Sequence, residues 1–146
     1  MRKCLSLLFL FLISNVFSQE NEYFIDANFD VNNRLVEIYQ TIDFTNTTSN
    51  SLNYIILNDW AHSYSNPKTP LGKRLSEDFT LNFQRSTKNQ RGFTNIIHIK
   101  SDSIILEHTR LKVNIDLVKV KLSNALMPNQ KIRINIKYNI KIPISD

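Results

Sequence analysis

Lys131-Ile132-Arg133-Ile134-Asn135-Ile136-Lys137-Tyr138-Asn139-Ile140-Lys141-Ile142 is the stretch that decides the fold. Lys131, Arg133, Lys137 and Lys141 alternate with Ile132, Ile134, Ile136, Ile140 and Ile142. Such a period of two belongs to a strand with one buried and one wet face. The same stretch is the densest basic segment of the chain, so its charge reads first as the wet face of a strand. Attraction to acidic polymers is the alternative, but a nucleic-acid binder needs clustered cations with aromatic stacking residues among them. No nucleic-acid partner is expected.

Working outward, the pattern recurs. Tyr23, Ile25, Ala27 and Phe29 alternate with Phe24, Asp26, Asn28 and Asp30, and Asn32-Asn33 supplies a turn. From Arg34 to Asn46, Val36, Ile38, Gln40, Ile42 and Phe44 oppose Glu37, Tyr39, Thr41 and Asp43, which completes a hairpin. Further strands are read over Leu52–Leu57, Phe93–Lys100, Ser103–Glu107, Leu111–Leu122 and Gln130–Ile142, with Ala125-Leu126-Met127-Pro128-Asn129 as a proline turn. Asn-rich turns stand in for glycine, of which the chain has 2, because Asn tolerates positive φ. Leu71, Leu75, Phe79 and Phe83 recur every fourth residue and predict one short surface helix inserted among the strands. The expected fold is all-β: a largely antiparallel, twisted sandwich or saddle of about 7–8 strands.

The 146 residues carry a formal charge of +5 and suit one domain. Arg2 and Lys3, the apolar run Leu5 to Ile13, and Val16-Phe17-Ser18 before Gln19 have the form of a secretory signal peptide over residues 1–18. Its removal takes away two cations, lowering the charge from +5 to +3, and the only cysteine, Cys4. The mature chain over residues 19–146 is then without disulfides or thiolate metal sites. The apolar run is too short to span a bilayer, so no membrane span is expected and the protein is placed in the periplasm or outside the cell.

Little in the sequence carries chemistry. His62, His98 and His108 are not spaced as metal ligands on one helix face, and Glu107 and His108, being adjacent, face opposite ways on a strand. His98 reads as an ordinary strand histidine. Asp59 and His62 could form a base with its orienting acid, or a loop cap; no nucleophile accompanies them. No P-loop, no G-x-S-x-G and no G-x-G-x-x-G is present, and no catalytic or metal-binding residue is assigned.

One region carries more. The run Ile42 to Tyr64 has a strand ending at Phe44-Thr45-Asn46-Thr47-Thr48, a second strand from Leu52, and the loop Leu57-Asn58-Asp59-Trp60-Ala61-His62-Ser63-Tyr64. After it come Thr69-Pro70-Leu71-Gly72-Lys73-Arg74-Leu75, Arg91-Gly92 before a strand, and Ala125-Leu126-Met127-Pro128 before the long basic strand that ends at Pro143. In this order the matches resemble the N-terminal domain of secreted bacterial members of the aminopeptidase N family, zinc metallopeptidases with an H-E-x-x-H motif. The resemblance runs from about Tyr23 to Pro143. Two departures stand out: Asn129 occupies a place where the family usually has Gly, and Ala61-His62 one where Pro-Asn or Asn-Asn is common.

The resemblance implies a non-catalytic β-saddle that supports and caps a downstream thermolysin-like domain of the same polypeptide. That domain would hold the zinc, so no cofactor is expected in this chain. It further implies that saddle strands and the catalytic domain continue beyond Asp146. In that case the strand Gln130–Ile142 is expected to lack either a neighbour or a cover for its isoleucines. Trp60, His62 and Tyr64 form a possible domain-docking loop; the alternative is that Trp60 closes one end of the sandwich core. The alternative function is a free-standing secreted β-sandwich that binds a carbohydrate or a protein surface.

Overall fold

The computed structural model describes residues 21–78 and 81–144. The signal peptide read over residues 1–18, and Phe79 of the helical stripe, lie outside the described residues. Among them, eight strands form: β1 (Glu22–Asp30), β2 (Leu35–Thr45), β3 (Leu52–Asn58), β4 (Phe93–Ser101), β5 (Ile104–Ile105), β6 (His108–Arg110), β7 (Leu117–Leu126) and β8 (Lys131–Lys141). All pairings are antiparallel, in a five-stranded sheet ordered β1-β2-β8-β4-β5 and a three-stranded sheet ordered β3-β7-β6. The chain is an all-β, two-sheet antiparallel fold.

The period-two pattern places the core. Ile42 of β2, Ile99 of β4, and Ile134 and Ile136 of β8 meet Ile55 of β3 and Val118, Val120 and Leu122 of β7 between the sheets. Each such side chain, fully buried, stabilises the fold by about 1.5–3 kcal/mol. On the outer face, Arg133 grips the Asp43 carboxylate with both Nε and Nη2, and Lys137 lies 3.0 Å from Glu37 and over the Tyr39 ring. Arg133 and Lys137 of β8 are thus engaged by β2 of the same sheet.

Several boundaries differ from expectation, each for a visible reason. β8 lies in the middle of the larger sheet, paired to β2 on one side and β4 on the other, so it has both neighbours. Of its isoleucines Ile134 and Ile136 are buried and Ile132 and Ile140 half-buried, while Ile142 beyond its end is exposed, and the edges of the sheet are β1 and β5. Residues 111–116 form a loop, closed by Leu111 N–H donating to Leu117 O, and β7 runs on through Ala125 and Leu126. In the hairpin turn the positive φ falls on Arg34 (52°), which Ile142 holds in place by its N–H and by accepting from the guanidinium, while Asp30 caps Asn33. Asn129 does take positive φ (63°), following Pro128 in the pattern of a type II turn.

The helical stripe is divided. A 3-10 helix, Trp60–Ser65, precedes α1 (Pro70–Glu77) and the single turn α2 (Asn82–Arg85). Thr69 caps α1 by accepting from Gly72 N–H, and Asp78 N–H closes its end on Arg74 O and Ser76 O. Gln84 Nε2 then donates back to Gly72 O, and Phe83 meets the Tyr64 ring edge-on at 6.0 Å, so the chain doubles back where a continuous helix would run on. Gly72 is required there, since a Cβ would stand 2.0 Å from Pro67 O.

Asn46 ties the two sheets together. Fully buried, it donates from Nδ2 to Asn50 O (2.8 Å) and Leu126 O (2.9 Å), and its Oδ1 accepts from Thr48 N–H and Oγ1. Its backbone N–H donates to Gln130 O and its carbonyl accepts from Asn129 N–H. Asn46→Ala strands the Leu126 carbonyl and should lower the unfolding free energy by about 3 kcal/mol in urea denaturation. Asn46→Asp, which turns the two donors into acceptors aimed at carbonyls, should cost at least as much. A loss under about 0.5 kcal/mol for both would show that the amide network does not hold the sheets.

Candidate functional site: the cleft beneath Trp60

Where β3 leaves the smaller sheet, Asp59 opens the 3-10 helix as its cap. The carboxylate accepts from His62 N–H at 3.3 Å, and Asp59 N–H donates to Asp116 O. The same carboxylate accepts from Thr94 Oγ1 of β4 and from Arg110 Nη2 of β6, each at 2.6 Å. Arg110 also donates to Ile115 O and Thr94 O. The His62 ring turns inward, and its Nδ1 accepts from Thr94 N–H at 3.2 Å. Four side chains from a loop and two sheets form one half-buried network.

This arrangement decides between the two readings of Asp59 and His62. The carboxylate bonds Thr94 and Arg110, not the imidazole ring, so the pair is a loop cap and a backbone clamp. Burial holds the His62 pKa below its usual 6.5, with the nearby Arg110 charge adding to the effect. His98 lies half-exposed on the outer face of β4 opposite Lys137, and His108 lies on β6. Among the described residues no three His, Cys, Asp or Glu side chains are grouped to hold a metal ion. No helix among them is long and apolar enough to cross a membrane.

The network borders a cleft of about 500 Å³ between the sheets. Ile42 and Phe44 of β2, Tyr138 and Ile140 of β8, and Leu57 of β3 line it, and Tyr23 of β1 and Trp60 reach it from the sides. The polar contribution includes Tyr138 OH donating to Gln40 Oε1 at 2.9 Å, and burial raises the Tyr138 pKa. A mostly apolar hollow with a few directed polar groups has the make-up of a recognition site.

The three loop residues singled out in the sequence do not share one surface. Trp60 is 58% exposed beside the cleft, His62 points into the network, and Tyr64 packs on Phe83. Sequence reading missed Thr94, Arg110, Gln40 and Tyr138. For Gln40 and Tyr138 the alternation of their strands placed them on the inner face. Arg110 sits on a three-residue strand that leaves no periodic signal.

The depressed His62 pKa fixes the sign of a pH effect. Above 6.5 the imidazole is neutral folded and unfolded, and its contribution is complete; as pH falls below 6.5 and through the folded value, the unfolded chain takes up a proton first and stability declines. Asp59, Arg110 and Asp116 are the charged groups around it. His62→Asn, which can set an acceptor where Nδ1 stands, should flatten that part of the stability-against-pH curve in denaturant titrations. An unchanged slope would place the pH dependence elsewhere. No protein-family model matches the chain, and no curated protein sequence matches it either.

Proposed function

We propose that this chain is the non-catalytic N-terminal β-domain of a secreted zinc aminopeptidase-like protein, supporting and capping a thermolysin-like domain of the same polypeptide. The observation that carries the reading is that the residues of the resemblance meet in space. Asn46, from the first match, bonds Leu126 of the last, 80 positions along the chain, and its carbonyl accepts from Asn129 N–H. Gly92 lies against Pro143, where a Cβ would come within 2.8 Å of the ring, and Thr69 caps Gly72 within its own match. Asn129 takes a positive φ, which glycine adopts freely, at the place where the resemblance expects glycine. These residues set turns, crossings and close approaches, which is the part a supporting domain plays. Zinc and its ligands belong to the catalytic domain, and the leader sends the polypeptide to the periplasm or the exterior.

The surface left open suits that role. Tyr23, Ile25 and Phe29 share the inner face of the larger sheet yet are 58%, 61% and 66% exposed. A second reading, a free-standing module for a carbohydrate or protein surface, draws on Trp60 standing exposed at the cleft. Sequencing the transcript past the Asp146 codon separates the two. The expected result is an H-E-x-x-H motif followed downstream by a glutamate ligand; a mature polypeptide without that motif contradicts the proposal and leaves the binding module.

A further inference from the structure

The four edges of the two sheets are not alike. β5 has two residues, β6 has three, and β3 is broken by a register shift between Leu52 and Tyr54. Short length and bulging are recognised ways of stopping a sheet edge from pairing with another chain. β1 has none of these: its nine residues pair without interruption along β2, its sequence contains no Pro, Gly, Lys or Arg, and no charge stands on its inner face. Among the described residues β2 is its only strand neighbour, and every residue of β1 is exposed. Among the described residues nothing pairs with its outer row of backbone donors and acceptors, the row that an extended partner would use.

The side chains select what that partner is. The inner face offers Tyr23, Ile25, Ala27 and Phe29; the outer face offers Glu22, Asp26 and Asp30, spaced every fourth residue, about 13 Å apart. Within the sheet, acids of this face are answered by a neighbouring strand: Asp43 by Arg133 and Glu37 by Lys137. Arg133, Lys137 and Lys141 repeat every fourth residue and lie in the same rows as Glu22, Asp26 and Asp30, but two strands away. That is about 10 Å, near the screening length in physiological salt, so Arg133 and Lys141 offset Glu22 and Asp30 only weakly. Asp30 also holds Asn33 through both carboxylate oxygens, and Glu22 and Asp26 are the acids of β1 left to a partner on the open side. A second copy of β1 is a poor candidate. Paired antiparallel about Asp26 it sets Glu22 against Asp30, and paired parallel in register it sets each acid against itself.

We propose that β1 is a strand-addition site, and that its occupant is an extended peptide segment with Lys or Arg at every fourth position on one face and β-branched residues on the other. Backbone hydrogen bonds supply the attachment and the charge rows select the sequence. This stands whether or not the polypeptide continues into a catalytic domain.

The test is a charge exchange in the full mature chain. One probe is a nine-residue peptide with lysine at its first, fifth and ninth positions, threonine at its third and seventh, and valine at the even ones; a second carries glutamate in place of lysine. The lysine peptide should bind, slow hydrogen exchange at alternate β1 amides, and weaken as salt is raised. Glu22→Lys with Asp26→Lys should weaken it by about tenfold and favour the glutamate peptide. Asp30 is kept because it caps the hairpin turn, and an unchanged thermal midpoint confirms that the exposed substitutions leave the fold intact. Equal affinity for the two peptides in both proteins, or binding that leaves the β1 amides unprotected, overturns the proposal.

Discussion

The buried amide of Asn46 is the contact on which the arrangement of the two sheets depends. The chain leaves the five-stranded sheet at Thr45 for β3, and returns to it from Leu126 through the turn into β8; both crossings pass the same spot. Asn46 binds the carbonyl of Leu126 with its side chain and brackets the returning turn through Asn129 and Gln130 with its backbone. A neutral amide can donate twice and accept twice at once, which a carboxylate of the same shape cannot. With that point fixed, the isoleucines of β2 and β8 lie over Val118, Val120 and Leu122, and the core follows.

A second consequence is geometric. Five strands face three, so the larger sheet extends past its cover. The excess is β1, whose inner face continues the apolar surface of β2 into solvent, and the cleft that opens between β3 and the larger sheet. At one border of that cleft, Asp59, Thr94 and Arg110 lock the loop that carries Trp60, so the exposed indole is presented from a rigid base. Rigid presentation lowers the entropy lost on association. Asp59, Arg110, Asp43 and Arg133 are all engaged in contacts that hold the fold.

Much of the fold was legible because alternation is a local signal. β1, β2 and β8 lie within a residue of where period two places them, β3 and β4 within a residue of the runs read as strands, and the β1–β2 hairpin pairs as read. What escaped was set by tertiary contact. The helix over Leu71–Phe83 is divided because Gln84 reaches back to Gly72, and β6 is too short to show a period. Strand order was not legible either: nothing in the run from Lys131 to Ile142 distinguishes a central strand from an edge, since one face is wet in both. The site was legible only in Trp60. Its inward neighbours His62 and Asp59 could be named, but their partners, Thr94 and Arg110, lie 35 and 51 residues from Asp59 along the chain.

We propose that the open side of the larger sheet, at Trp60 and β1, is covered by a larger body in the whole protein. Trp60 is the only tryptophan in the chain, so its fluorescence reports on that place alone. Iodide quenching should be compared between residues 19–146 alone and the same chain with the proposed downstream domain attached. Strong quenching in the first and marked protection in the second is the predicted result; equal quenching in the two would contradict the claim.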